Sequence, residues 1–160
     1  DIKFIWWIEH LARGDRFAGR NQWSEAGREY ARSLRFLSDE RESPETLLNL
    51  GMALKYQGRG GEALPYIERA FVYKPQLTQA GMDAALLYGE AGELDQAIAL
   101  LQKVVLQVPQ WVDAWVNLGF VHARMGAFDA ARRAWKKALA LSPDHPQARA
   151  NLEELDRINK

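Results

Sequence analysis

Histidines, a glycine-rich segment and neighbouring carboxylates are the residues of this chain whose types could support catalysis or metal binding. The three histidines have no zinc-ligand spacing, and no His-Glu-x-x-His motif occurs. They are His10, His122 and His145. The segment Gly58-Arg59-Gly60-Gly61 lacks the Lys-Ser/Thr ending of a phosphate-binding loop. Glu153 and Glu154 are adjacent on a predicted helix, so their side chains point in different directions. We therefore predict no catalytic site, no metal site and no cofactor.

Composition excludes further classes of function. The 160-residue chain contains no cysteine, which rules out disulfides, thiol catalysis, iron–sulfur clusters and thiolate zinc sites. Its 21 basic and 21 acidic side chains cancel, so no overall field attracts nucleic acid, and we predict no nucleic-acid partner. With 48% hydrophobic and 26% charged residues, the chain has the composition of a folded protein. Its length suits a single domain.

No apolar run approaches the roughly 20 residues that a membrane-spanning helix needs. No run exceeds five residues, and the N-terminal one, Phe4–Ile8, has neither the basic leader nor the cleavage site of a secretory signal. The chain opens with Asp1 and not methionine, which indicates a segment of a longer protein. We predict no signal or membrane span within this segment, and the sequence assigns no compartment.

Helix signals recur along the chain with a constant period of about 34 residues. Proline, alanine and glycine each mark this period three times, and no alternating strand pattern occurs between them. The three sets are Pro75, Pro109 and Pro143; Ala63, Ala97 and Ala131; and Gly58, Gly92 and Gly126. One complete unit is Trp115-x-x-Leu118-Gly119-x-x-His122, followed by Ala131, Trp135, Ala138 and Pro143. Each unit is predicted to form two short amphipathic helices joined at a glycine with positive φ.

This pattern closely resembles the tetratricopeptide repeat, whose units carry W-x2-L-G-x2-Y, then A-x3-F, A and P. We place units at residues 7–40, 44–77, 78–111 and 112–145, with a capping helix at 146–158. The resemblance implies an all-α, right-handed α-solenoid, a superhelix of about four helix-turn-helix units plus the cap. It also implies a non-catalytic scaffold or adaptor module that binds a peptide or protein segment in its concave groove.

Several residues have structural roles if this register is correct. His10 takes the tryptophan position of the first unit and His122 the tyrosine position of the fourth, so both are predicted to be packed, structural histidines. Three extra residues, 41–43, separate the first two units. The pair Ser43-Pro44 predicts a helix start, with serine as the N-cap and proline in the first turn.

The first unit is the most arginine-rich part of the chain. Its arginines are Arg13, Arg16, Arg20, Arg28, Arg32 and Arg35. Acidic residues Asp15, Glu25 and Glu29 interleave with them. We therefore expect a salt-bridged, solvated face and not a nucleic-acid site.

An asparagine-rich series marks the predicted ligand groove. Asn49, Asp83, Asn117 and Asn151 recur once per period, at a position that faces the groove in the family that the chain resembles. An asparagine offers both a donor and an acceptor, so such a series can hold an extended peptide backbone. The other predicted groove residues are Leu48, Met52, Tyr56, Met82, Leu86, Phe120 and Arg124. Acidic side chains outnumber basic ones along this face, which predicts a peptide with apolar anchors and some basic character. In the alternative interpretation, the asparagines bond neighbouring helices and the apolar stripe is interhelical packing.

The N-terminal segment Phe4–Ile8 is apolar on all sides of a predicted helix. We expect it to be at least partly buried, against the first helix pair or against another chain. It supports a second hypothesis of function. In that hypothesis the domain has a structural or regulatory role. It either self-associates through Phe4–Ile8 or packs against another domain of a larger protein, and in one version that larger protein is an enzyme.

Overall fold

The computed structural model describes residues 2–37 and 43–158, which form nine α-helices and no strand. The helices are α1 (Ile2–Ala18), α2 (Trp23–Leu34), α3 (Pro44–Tyr56), α4 (Gly60–Tyr73), α5 (Thr78–Ala91), α6 (Leu94–Gln107), α7 (Val112–Arg124), α8 (Phe128–Leu141) and α9 (Pro146–Ile158). The all-helical prediction is confirmed. Contacts cluster into two compact units, one ending at Ala80 and one beginning at Gly81. The predicted end of the first repeat, 38–40, and the inserted residues 41–42 lie outside the described residues.

The first compact unit is built from α1 to α4, each packed on the next along the chain. Glycines permit the close approach within each pair. A Cβ added at Gly14 would lie 2.5 Å from the ring of Tyr30, and one added at Gly51 would overlap Ile67. Both contacts join the first helix of a repeat to its second helix. The small residues in the repeat pattern are therefore explained by packing.

The second compact unit contains α6 to α9 and nearly all of α5, with α6 on α7, α7 on α8 and α8 on α9. Trp135 of α8 is only 4% exposed, and its Nε1 donates a hydrogen bond to the Val116 carbonyl at 3.1 Å. A Cβ at Gly119 would overlap this indole. Ala148 and Leu155 of α9 complete the same buried cluster, so α9 covers α8 as a cap does.

The turns between paired helices use the left-handed backbone region. Gly58, Gly92 and Gly126 have φ of 75°, 82° and 77°, as predicted from their spacing. The turn between α1 and α2 uses Asn21 instead, with φ of 57°. Asparagine tolerates this region better than other residues with a Cβ, because its short polar side chain can bond locally.

Prolines and one serine set several helix ends. Ser43 Oγ accepts a hydrogen bond from the Thr46 backbone N–H at 3.2 Å, and Pro44 is the first residue of α3, as predicted. The helices α4, α6 and α8 each end two residues before a proline. The residue between lies outside the helical region in each case, because a residue that precedes proline is disfavoured there.

Helix α1 begins at Ile2, five residues before the predicted start of the first repeat. Neither glycine nor proline interrupts the segment from Ile2 to Arg13, so the helix continues through it. With 17 residues against 12 in α2, α1 is longer by about 7 Å at a rise of 1.5 Å per residue. Its first turns therefore have little of α2 to pack against.

Most of the apolar N-terminal segment is exposed as a result. Trp7 is half-buried, and its indole N–H is out of contact with solvent. We expected the whole segment to be partly buried against the first helix pair, and this expectation is corrected: such burial is limited to the side chain of Trp7. Trp6 stacks on Phe36 with ring centroids 6.2 Å apart, yet it remains 43% exposed. The exposed apolar side chains of the segment are Phe4, Ile5, Trp6 and Ile8, and Ile2 just before it is exposed as well.

Candidate functional site

A cleft of about 250 Å³ lies between α5 and α7, within the second compact unit. Four predicted groove residues are in its wall: Leu86, Asn117, Phe120 and Arg124. The remaining wall is formed by Ala85, Gly89, Glu90 and Val121. Leu86 is 37% exposed and Phe120 is 51% exposed, so two large apolar side chains face the solvent from the two helices.

The floor and one end of this cleft are shaped by Gly89, Glu90 and Arg124. A Cβ added at Gly89 would meet no atom within 4 Å, so the absence of a side chain there leaves the floor open. Arg124 Nη1 donates a hydrogen bond to the Gly89 carbonyl at 2.6 Å, which holds the guanidinium against the cleft. Glu90 is exposed on the opposite helix. The site thus combines apolar walls with one carboxylate and one positioned guanidinium.

The asparagines of the predicted series make contacts between helices. Asn117 Nδ2 donates to Met82 Sδ at 3.6 Å, and Asn49 Nδ2 lies 3.5 Å from Asp15 Oδ1 in the first compact unit. Each partner is on the first helix of the preceding repeat, which matches the alternative interpretation. Asn151 differs, because its Oδ1 accepts from Gln147 while its Nδ2 is buried and has no hydrogen-bond partner among the described residues.

Two predicted groove residues are buried in α5. Met82 is 3% exposed and Asp83 is 5% exposed, so neither side chain presents itself to a ligand in this structure. This corrects their assignment to the groove surface. The repeat period places both at the right position on the helix, but exposure depends on how closely the neighbouring helices approach. In this respect α5 is more tightly packed than the pattern indicates.

The predicted groove residues of α3 belong to the first compact unit. Leu48 and Met52 are half-buried, and Tyr56 is exposed at the end of the helix. Tyr56 stacks on Trp23 of α2 with ring centroids 4.4 Å apart, so part of its surface serves packing. That these three residues contact a ligand stays a prediction.

Histidines are used in packing in both units. His10 Nδ1 lies 2.7 Å from Glu29 Oε2 in a buried pair, and Arg32 also hydrogen-bonds Glu29 at 2.5 Å. Burial alone would raise the pKa of Glu29, but the hydrogen bonds from His10 and Arg32 outweigh it and hold this pKa below its ordinary value. His122 is half-buried, and desolvation, aided by the charge of Arg133, lowers its pKa.

The described acidic residues of the first repeat pair with only half of its six arginines, Arg13, Arg28 and Arg32. Asp15 accepts a hydrogen bond from Tyr30 at 2.9 Å, Glu29 is held by His10 and Arg32, and Glu25 lies 3.7 Å from Arg28. The expected salt-bridged face is therefore only partly formed. Within the described residues, the arginines of this repeat that form no ion pair are Arg16, Arg20 and Arg35.

The described residues form neither a cluster of metal-ligating side chains nor a membrane-spanning helix. In the stretches 2–37 and 43–158, no three His, Asp or Glu side chains come close enough together to hold a metal ion. Across the same stretches, no helix is both long and apolar enough to cross a membrane.

Comparison with known proteins identifies the family. Residues 54–119 and 112–145 match models described as tetratricopeptide repeat, and together they span more than half of the chain. The chain belongs to the tetratricopeptide repeat family. The second match covers the same residues as the fourth predicted repeat. Proteins of this family bind protein or peptide partners and are generally non-catalytic.

Curated relatives cover the chain in different proportions. A TPR repeat-containing protein of Pseudomonas aeruginosa is 34% identical over 80 residues, which are 46% of this chain and 76% of that protein. The mouse protein O-mannosyl-transferase TMTC1 is 31% identical over 108 residues, or 65% of this chain. This match spans only 12% of the length of TMTC1.

Solved structures share the fold over most of the chain. YrrB, a tetratricopeptide protein described as having an unusual peptide-binding site, superposes with a TM-score of 0.79 at 25% identity. That comparison covers 90% of this chain and 73% of YrrB. MamA gives a TM-score of 0.85 at 23% identity over 94% of this chain and 80% of its own.

Proposed function

We propose that this domain is a non-catalytic scaffold or adaptor module that holds a peptide or protein segment in the cleft on α5 and α7. The supporting observation is the pair of exposed apolar side chains, Leu86 and Phe120, on the two sides of the open floor at Gly89. Exposed apolar side chains that converge on a concave site are common anchors for partner side chains.

The cleft's size and charge define the proposed ligand. A volume of about 250 Å³ is below the roughly 300–1,000 Å³ of small-molecule pockets, and it suits one or two side chains of a peptide. Arg124 is already bonded to the Gly89 carbonyl, whereas Glu90 is exposed on the wall. A basic side chain next to an apolar anchor would therefore find a partner in Glu90. Asn117 contributes a side-chain carbonyl that can accept a hydrogen bond from the peptide backbone.

Peptide selection with cleft variants tests this function. Twelve-residue peptides are selected from a random phage library on the intact chain, and the enriched sequence is titrated by fluorescence anisotropy. Replacing both Leu86 and Phe120 with alanine should weaken binding about tenfold or more, because truncating a buried anchor typically costs more than about 1 kcal/mol. The matched control replaces Leu141 and Phe128 of α8, which are 38% and 43% exposed, and should change affinity less than about twofold.

The selected sequences are a second readout. Enrichment of apolar residues next to lysine or arginine agrees with the proposal. Peptides that bind both variants with equal affinity would place the ligand elsewhere on the chain and contradict the cleft.

A second candidate function rests on the apolar N-terminal turns of α1. Ile2 is 69% exposed and Ile5 is 61% exposed, and such a concentration of apolar surface favours association. We propose as the alternative that this end of α1 packs against a second copy or another domain of a longer protein. Size-exclusion chromatography with light scattering should then show concentration-dependent association that Ile5→Ser with Ile8→Ser abolishes. A strictly monomeric parent chain rules out the version with a second copy.

A further inference from the structure

We infer that the outer face of α1 is a second docking surface, for a protein segment that is apolar at one end and acidic at the other. This surface lies in the first compact unit and has the opposite charge preference to the cleft on α5 and α7. It does not depend on the proposed function of that cleft. It competes with the alternative function above, because the same exposed side chains Ile2 and Ile5 would here contact a separate protein segment and not a second copy.

The cationic half of the surface is a hollow of about 330 Å³ lined by Arg13, Arg16, Phe17 and Arg20. Arg16 and Arg20 form no ion pair with any residue in the described part of the chain. Arg13 has only a contact of 3.7 Å with Glu9. Three guanidinium groups around one hollow repel one another and attract carboxylates, which they can bind through two parallel hydrogen bonds each.

The apolar half precedes the arginines on the same face of the helix. Ile2, Ile5, Glu9, Arg13 and Arg16 follow one another at steps of three or four residues, which places them on one side of α1. The exposed ring of Trp6 widens the apolar part. Ile5 and Arg16 are about 16 Å apart along the helix axis, at 1.5 Å per residue. The apolar and the cationic side chains therefore lie on the same face of α1 but at different ends of it.

This axial separation favours a protein segment over other anionic partners. An interfacial membrane helix needs an apolar face along its whole length, whereas the outer face of α1 is cationic over its second half. A nucleic acid would engage the arginines but leave Ile2, Ile5 and Trp6 in water. A helical segment of about four to five turns that carries leucines in one half and glutamates in the other satisfies both parts of the surface.

Binding of a designed probe tests the inference. Two fluorescein-labelled peptides, each long enough for about five helical turns, carry three leucines in one half and three glutamates in the other, in opposite orders. One of them should bind the intact chain, and Arg16→Glu with Arg20→Glu should weaken its binding at least about tenfold. The control, Lys136→Glu with Lys137→Glu on α8, makes the same change in charge and should alter binding less than about twofold. Arg16→Gln with Arg20→Gln, which adds no negative charge, should give a smaller loss in the same direction.

Several results would overturn the inference. They are equal binding of a peptide with glutamine in place of glutamate, equal loss in the α8 control, and tighter binding of a single-stranded oligonucleotide. Tighter binding of vesicles made of phosphatidylcholine and phosphatidylserine would overturn it as well. No binding of either peptide by the intact chain also counts against it. The outcome is separate from that of the α5–α7 cleft, because Leu86→Ala with Phe120→Ala should leave binding of these probes unchanged.

Discussion

At the scale of single residues, two buried glycines of the second compact unit have opposite surroundings. Gly89→Ala should raise the free energy of unfolding by about 0.5–1 kcal/mol, because alanine favours a helix interior and its Cβ meets no atom within 4 Å. Gly119→Ala should lower it by about 1–3 kcal/mol, because its Cβ overlaps Trp135. Urea denaturation followed by circular dichroism measures both. The two variants are controls for each other, and equal changes would contradict the packing described.

The Gly89 substitution also reports on the proposed cleft. Its methyl group would occupy the floor between Leu86 and Phe120, so peptide binding should weaken although the protein becomes more stable. Stability and affinity changing in opposite directions would separate a ligand effect from an effect on folding. A variant that is stabilised and binds the selected peptide as tightly as the parent would place the ligand away from the floor.

The pH dependence of stability should include a contribution from His122. Burial, aided by Arg133, lowers its pKa in the folded chain below the ordinary 6.5. The unfolded chain therefore takes up a proton first as the pH falls. The stability linked to His122 is complete above about pH 6.5 and is lost as the pH falls through the lowered pKa. Melting temperatures at pH 7.5 and 5.5 should differ less in His122→Gln than in the parent. An unchanged difference would show that His122 is not the group responsible.

At this scale, the repeat pattern predicts packing better than it predicts polar contacts. The positive φ of Gly58, Gly92 and Gly126 follows directly from their spacing. Asn21 occupies the equivalent turn position of the first repeat and also has a positive φ. It precedes Gly58 by one period of 34 residues plus the three inserted residues. Nothing in the sequence shows that Glu29 pairs with His10 and leaves other arginines without partners, because that choice depends on which side chains the fold buries together.

At the scale of helices, the contribution of the cap can be measured within α9. Leu155 is 4% exposed and packs with Trp135, so Leu155→Ala should lower the free energy of unfolding by about 2–5 kcal/mol. Ile158, on the same helix, is 66% exposed, and Ile158→Ala should change it by less than about 0.5 kcal/mol. Chemical denaturation of both variants checks the prediction. Similar losses would mean that α9 does not bury one face on α8.

Helix boundaries and exposure differ in how far they follow from sequence. The capping motif at Ser43 and the prolines after α4, α6 and α8 mark local ends, so these were predictable. The start of α1 at Ile2 does not follow from the repeat pattern, which contains no information about residues that precede the first unit, although the apolar segment Phe4–Ile8 is itself predicted to be helical. The burial of Met82 and Asp83 was also missed, since periodicity assigns a face of the helix but not the distance to its neighbours.

At the scale of the whole molecule, balanced charge conceals a local imbalance. Residues 2–37 contain seven basic and four acidic side chains, whereas residues 81–158 contain eight basic and ten acidic ones. The division into two compact units, which the sequence did not predict, places these two stretches in different units.

Because the isoelectric point is about 7.0, charge repulsion between molecules is weakest near neutral pH. Light scattering should therefore show the most association near pH 7 and less at pH 5 and pH 9. Association that rises steadily from pH 5 to pH 9 would contradict this.

Side-chain hydrogen bonds between the first two repeats and between the last two connect residues 34 or 35 positions apart. They include Asn49 to Asp15 and Gln57 to Trp23 in the first compact unit, and Asn117 to Met82 and Arg124 to Gly89 in the second. An insertion or deletion of one whole period would leave this spacing between neighbouring repeats unchanged, so these side chains would again meet the corresponding part of the preceding repeat. A change of any other length must be confined to a connecting segment, which is where the extra residues 41–43 of this chain occur. The same geometry that joins the repeats therefore determines which length changes a gene for this domain can accept.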